Sequence, residues 1–382
     1  MALGFYGDFC RSTRPKCLHC GSISGRVKQM EAFMNRSSSL FTLLIVAILL
    51  IPTSSQATTS TSTRRFIDQP WLNLYYTNLV WEDTGKCRAM FRVKTTDLCT
   101  HGPDSPEPQM AKSWAEELFY PNNQMHLSIE QSSQPCLDDS TNDYRTQVLY
   151  VRASDAQDNS SIIAPVLRKH LLGVNEIYNQ SAQLTGGQRH IRWQLNQACQ
   201  IDVQHVVIPP AADDDFGATI NAVVAQGFNR DDRKYVMFVE ARYYCGIATV
   251  QHDTQPSSAN LNNHSVAYAR IDAGCWNARV VAHEHMHMIG GVQPSAPHTT
   301  KSWHCTDEWD IMCYSDAPSY PDLEIACPEH SIRDIFDCGN DDYFHTNPAA
   351  DNYLASNWNS ANSLFLSQQS QYWRIYLPIA SN

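Results

Sequence analysis

From about residue 144 onward, apolar positions fall into blocks that alternate between strand-like and helix-like spacing. Gln147 to Val151 reads as a strand, and Ile162 to Leu184 repeats apolar residues with the period of a helix face. Ile191 to Leu195 and Val203 to Ile208 predict two more strands, Phe216 to Phe228 a helix, and Tyr235 to Val239 a buried strand. Cys245 to Val250 and Val266 to Ile271 complete the strand set, and a further helix is expected from about Trp276. Strands interleaved with helices imply an α+β fold, a twisted mixed β-sheet flanked by helices. Before residue 144 the pattern is irregular and supports no fold. It holds an aromatic run from Trp71 to Trp81 and a polar loop from His101 to Pro108. Beyond residue 320 the chain is rich in Asp, Asn and Pro, with short helices expected between Ala350 and Phe365. No internal repeat is evident.

One apolar block stands apart. Leu40 to Ile51 contains only Thr42 as a polar residue, follows Arg36, and precedes Ser55-Gln56-Ala57, which is the form of a signal peptide. A membrane span needs about 18 apolar residues or more, so the run is too short to serve as one. Met34 fits as the start of this leader, and the Ser/Thr-rich residues 53 to 63 fit a cleavage region and linker. The expected division is an N-terminal extension and signal peptide over 1–57, a linker with an N-terminal or pro-region over 58–143, the main domain over 144–367, and a tail over 368–382. Cys17-Leu18-His19-Cys20 looks like half a zinc knuckle that nothing completes.

Charge and cysteine content narrow the setting. The formal net charge is −11, from 28 basic and 39 acidic residues, and setting the leader aside makes the remainder more acidic still. Such a surface repels nucleic acid and anionic lipid, so neither is an expected partner. Of 13 cysteines, the ten beyond the leader are Cys87, Cys99, Cys136, Cys199, Cys245, Cys275, Cys305, Cys313, Cys327 and Cys338. An even number behind an export signal implies disulfides and a secreted, extracellular protein, expected as a monomer. Asn159, Asn179 and Asn263 lie in glycosylation sequons, which matter only where the source glycosylates proteins.

The chemistry is concentrated in His283-Glu284-His285-Met286-His287-Met288-Ile289-Gly290. Each helical residue turns about 100°, so two histidines four apart lie about 40° from one another on one face and can reach the same ion. Ala278, Ala282, Met286 and Ile289 form an adjacent apolar stripe to seat the helix on the sheet, and His285 should point elsewhere. Glu284 is placed to take a proton from a water made acidic by zinc. Gly290 marks a helix end, where a left-handed residue lets the chain turn.

Together with Asp310-Ile311-Met312-Cys313-Tyr314, these residues resemble the metzincin clan of zinc peptidases, whose pattern is His-Glu-x-x-His-x-x-Gly-x-x-His followed by a Met-turn. The resemblance covers His283 to Gly290 and Met312 to Tyr314, and the strand order agrees with it. It implies a metzincin-like peptidase domain with an active-site helix and a small disulfide-rich C-terminal subdomain. It further implies Met312 beneath the metal, Tyr314 as an oxyanion stabiliser, and a peptide substrate paired to the edge strand Gly246 to Gln251.

The clan's third histidine position is occupied by Gln293. His304 is the preferred third ligand, in a His-Cys stretch similar to that of archaemetzincins, and Cys305 is able to pair with Cys313 across the intervening loop. Gln293, His298 and Asp307 are the alternatives, and imidazole is the better zinc donor. The acidic run from Asp337 to Asp342 offers calcium ligands without EF-hand spacing, and a solvated turn explains it as well. Cys99 would cap the zinc if residues 58 to 143 formed a propeptide, whereas a Cys87–Cys99 disulfide keeps the cysteine count even.

The sequence therefore predicts a secreted zinc endopeptidase acting on proteins or peptides, with Glu284 and Tyr314 catalytic and with His283, His287 and His304 on the metal. A cysteine-rich binding module with a structural zinc, or a zinc hydrolase of another bond, are the alternatives.

Overall fold

The computed structural model describes residues 66–106, 143–316, 320–329 and 334–369. The leader Leu40 to Ile51, the linker 53 to 63, Cys17 to Cys20, Cys136 and nearly all of the C-terminal tail lie outside these residues. Everything described belongs to one compact unit, Thr61–Asn382.

The centre is a five-stranded mixed sheet. It is built from β4 (Arg145–Ala153), β6 (Val203–Ile208), β7 (Arg233–Val239), β8 (Ile247–Ala248) and β9 (Ala267–Asp272), ordered β6-β4-β7-β9-β8. The first four in that order are parallel, and β8 runs antiparallel to β9 at the edge. Each parallel step needs a crossover, and helices supply two of them: α1 (Ser160–Leu184) between β4 and β6, and α2 (Phe216–Val224) between β6 and β7, while a short helix α3 (Leu261–His264) precedes β9.

All seven residues of β7 are buried, because both of its faces are covered. Val236 and Phe238 face a core shared with α1 and α4 (Ala278–Met288), whereas Tyr235, Met237 and Val239 face one shared with α2. The period-two alternation of the strand thus sorts its side chains between two cores.

Residues 66 to 106 pack on the α2 side and at the β8 edge. Here β1 (Leu79–Glu82), β2 (Met90–Val93) and β3 (Cys99–Thr100) form a small antiparallel sheet, with Val93 entering the α2-side core. Four disulfides lie among the described residues: Cys87–Cys99, Cys245–Cys275, Cys305–Cys313 and Cys327–Cys338. Cys199 is also disulfide-bonded.

Several elements are shorter than their patterns. Of Ile191 to Leu195 only β5 (His190–Ile191) joins a ladder, with the short strand Leu366–Ser367, while Trp193 and Leu195 make single bridges. The helix from Phe216 ends at Val224, three residues before Gly227 at φ +93°. The region from Ala350 to Phe365 holds 3-10 turns at Tyr353–Ala355 and Ser360–Asn362. Polar caps from Asn352 and Asn359 open both turns, and neither continues into an α-helix.

Candidate metal centre

Helix α4 is fixed at both ends. The Asn277 side chain accepts from the backbone N–H groups of Arg279 and Val280, satisfying orphan donors at the start. Gly290 turns the chain at φ +87°, and a Cβ there would collide with Asn262 and Trp358, so only glycine serves. The Trp358 indole donates to the Ile289 carbonyl at 2.9 Å, tying the helix end to the C-terminal segment.

Between these ends the three histidines divide by direction. His285 faces the core, its Nε2 at 2.8 Å from Thr146 Oγ1 and its Nδ1 at 2.7 Å from Tyr178 Oη. Burial lowers its pKa to about 3, so it is a neutral core histidine. His283 and His287 face the β8 edge, and their Nε2 atoms are 3.0 Å apart.

His304, from the loop after the helix, places its Nε2 at 3.2 Å from that of His283 and 3.3 Å from that of His287. The loop is held by the Cys305–Cys313 disulfide and by the backbone pair Cys305 N to Met312 O at 3.0 Å. Gln293 goes elsewhere, its amide donating to the carbonyls of Gln251 and Gly290.

The tautomers follow from the partners. His283 Nδ1 lies 2.8 Å from the Ile311 carbonyl and His304 Nδ1 lies 2.6 Å from Asp316 Oδ2. Both partners accept, so Nδ1 carries the proton and Nε2 presents a lone pair inward. The lone pairs of His283 and His304 cannot satisfy one another at 3.2 Å, whereas three nitrogens bound tetrahedrally to zinc at 2.0–2.1 Å lie about 3.3–3.4 Å apart, close to the 3.0–3.3 Å seen among the three rings.

Two carboxylates adjoin the three rings. Asp104 Oδ2 is 3.0 Å from His283 Nε2 and Asp104 Oδ1 is 3.4 Å from His304 Nε2. Glu284 is 1% exposed, with Oε2 at 3.4 Å from His101 Nε2, and the His101 ring stacks on His287 at 3.9 Å. Burial and then the Asp104 charge push the Glu284 carboxyl well above its usual range. Asp104 moves the other way: burial opposes ionisation, but its interactions with the His101, His304 and His283 rings outweigh it and hold its pKa down.

Asp104 Oδ2 and Glu284 Oε2 are buried without hydrogen-bond partners. Two buried carboxylates beside three converging imidazole nitrogens form a donor set that a divalent cation compensates. The residues fit zinc.

Tyr314 lies alongside, its ring centroid 5.1 Å from both His283 and His304. Burial, followed by the Asp104 charge, keeps its phenol protonated well above the usual range. Met312 is fully buried, and its N–H is held by Asp310 Oδ1 at 2.6 Å.

A second group, His298, Asp307, Asp341 and Asp342, could also hold a cation. It lies along a cavity of about 370 Å³, the larger cavity described but away from Glu284. The expected calcium run divides here: Asp341 and Asp342 join this group, whereas Asp337 turns inward and accepts from the N–H groups of residues 341 to 344. Cys305 and Cys313 offer no thiolate, being joined to one another, and Cys99 is likewise bonded to Cys87.

Sequence reasoning missed His101, Asp104 and Asp316. The first two follow Cys99 within five residues, and a carboxylate three residues after a histidine in that run was the available signal. Asp316 carried none, because only the fold brings it to His304.

No family model matches the chain, and no curated protein matches it in sequence. Among solved structures it is similar to OgpA from Akkermansia muciniphila, at 13% identity over 41% of this chain and 51% of that one, with a TM-score of 0.26. A catalytically inactive OgpA in complex with an O-glycopeptide substrate gives 12% identity over 41% and 49%, with a TM-score of 0.25. Metalloproteinase-II from Bacteroides fragilis gives 10% identity over 50% and 49%, with a TM-score of 0.21. The chain spans about half the length of these proteins, and superpositions this loose assign no family.

Proposed function

We propose that this chain is a secreted zinc endopeptidase in which His283, His287 and His304 hold the ion and Glu284 is the general base. The observation that carries the reading is the convergence of three imidazole Nε2 atoms, 3.0–3.3 Å apart, beside a buried carboxylate. Bound there, zinc would supply Lewis acidity and make a water nucleophilic near neutral pH.

The chain's own groups do the rest. Glu284 takes the proton of the attacking water and returns it to the departing amine. Tyr314, protonated, donates toward the oxyanion that develops on the scissile carbonyl. The β8 edge pairs with the backbone of an extended peptide substrate. The disulfides support an oxidising, extracellular setting, and among the described residues no helix is long and apolar enough to cross a membrane.

A structural zinc is the second reading, favoured by Asp104, which would complete four donors. A closed site has no use for Glu284, whose buried carboxylate is costly unless it works.

The experiment compares the native chain with Glu284→Gln, before and after light tryptic nicking, for bound zinc and casein cleavage. Equal zinc with cleavage lowered by at least about 10²-fold in the variant supports the assignment. Equal cleavage removes Glu284 as base, and zinc without cleavage in every form favours the structural reading.

A further inference from the structure

His298 and Asp307 stand at the base of a hairpin that carries His304 near its tip. Thr306 N donates to the His298 carbonyl and Thr300 N to the His304 carbonyl, each at 2.8 Å, and Thr299 bridges Cys305 antiparallel. The placement of His304 therefore depends on how this base is closed.

Three carboxylates surround the imidazole there. His298 Nδ1 is 2.9 Å from Asp307 Oδ2, 3.6 Å from Asp342 Oδ2 and 3.7 Å from Asp341 Oδ1. Asp307 belongs to the hairpin, whereas Asp341 and Asp342 come from the turn whose N–H groups Asp337 gathers. A protonated His298 would explain part of this, since its Nδ1–H can serve the Asp307 carboxylate, but it sets one positive charge against three negative ones. Two oxygens stay unmet. Asp341 Oδ1 is buried without a hydrogen-bond partner. The Asp342 side chain is 1% exposed, accepts the His298 N–H through Oδ1, and aims Oδ2 at the imidazole from beyond hydrogen-bond range. Buried charges of one sign are held in proteins by pairing or by a metal.

The spacing fits a metal. Two donors on one zinc ion at about 2.0–2.2 Å lie no more than about 4.4 Å apart. All three distances from His298 meet that limit, and the four donor atoms lie within 4.8 Å of one another. The adjoining cavity of about 370 Å³, with Glu324 in its wall, leaves room for waters to complete a coordination shell. The imidazole also decides the kind of ion, because calcium takes oxygen ligands and nitrogen suits zinc.

The geometry points to a second divalent-cation site, of a zinc-like rather than calcium-like kind, in which His298, Asp307, Asp341 and Asp342 clamp the base of the hairpin that presents His304. This set is wider than the three-histidine cluster and its imidazole is 45% exposed, so it fills after that cluster and exchanges faster. The site itself is independent of the peptidase reading, whereas the clamp rests on His304 as a ligand.

The test equilibrates the full chain with excess Zn²⁺, dialyses it, and counts the zinc kept by the native protein, His298→Gln and Asp341→Asn. Each variant should keep one equivalent fewer than the native chain at unchanged circular dichroism, and millimolar Ca²⁺ should not release that equivalent from the native chain. Asp341→Asn is the variant least exposed to misfolding, since its side chain is 37% exposed. Under competition with a chromogenic chelator, the zinc at the three histidines should be held about tenfold more weakly in both variants. Equal counts in all three chains overturn the site, and release by Ca²⁺ overturns the kind of ion. A lower count with the remaining zinc held as tightly as in the native chain overturns the clamp. Peptide cleavage enters none of these readouts, so its absence bears on the peptidase reading alone.

Discussion

Asp316 Oδ2 stands 2.6 Å from His304 Nδ1, and this contact settles which nitrogen of the third histidine faces His283 and His287. It is also a reason His304 keeps a raised pKa: burial acts to lower it, and the Asp104 and Asp316 carboxylates overcome that. Carboxylates behind ligating histidines fix ring orientation and raise donor basicity. Asp316→Asn should therefore weaken zinc affinity by about 10- to 100-fold with all three histidines in place. Competition with a chromogenic chelator measures this, and native affinity would show that the contact does not orient the ring.

Gly246 approaches Glu284 so closely that a Cβ would collide with Glu284 Oε1. Gly246→Ala should lower peptide cleavage by about tenfold or more while bound zinc stays unchanged. Cleavage unchanged by the added methyl would mean that Glu284 has another working position.

His285 sits in the same motif as the candidate ligands but belongs to the core. His285→Leu removes the bonds to Thr146 and Tyr178 and leaves both hydroxyls buried, which should cost about 2–4 kcal/mol in urea unfolding. Zinc bound per folded chain should not change, and a loss of zinc at full stability would reverse this assignment.

Lys234 is completely buried, donates to the Ser265 carbonyl at 2.7 Å, and has its pKa lowered from 10.5 to about 7 by burial. Between those two values the folded chain binds fewer protons than the unfolded chain, so this residue makes stability rise with pH across that window. Below about pH 7 the cost of a buried ammonium is fully present. Lys234→Met should raise Tm most at about pH 6, with the gain shrinking as pH rises toward 10. A gain independent of pH would show that the lysine is not strained in the fold.

The sheet and the helix that position the site were readable because their signals are local. Val203 to Ile208 is rich in β-branched residues, Tyr235 to Val239 is uninterrupted, and the stripe through Ala282 and Met286 has one period. What the sequence could not show was convergence. His304 lies 17 residues from His287, and its placement depends on the disulfide to Cys313 and on Asp316, neither of which leaves a periodic trace. His101 and Asp104 are harder still, because they reach the cluster through pairing between residues about 140 apart along the chain. The edge strand was expected from Cys245 to Val250, and only Ile247–Ala248 forms a ladder with β9, although Thr249 N still donates to the Tyr268 carbonyl of β9 while Thr249 and Gly246 bridge to residues 100 and 104 on the other side.

The most direct measurement is anomalous diffraction at the zinc absorption edge from crystals grown with one equivalent of Zn²⁺. A single peak should lie about 2.0–2.1 Å from the Nε2 atoms of His283, His287 and His304. Occupancy only beside His298, Asp307 and Asp341, with nothing between the three rings, would contradict the assignment of a metal to this helix.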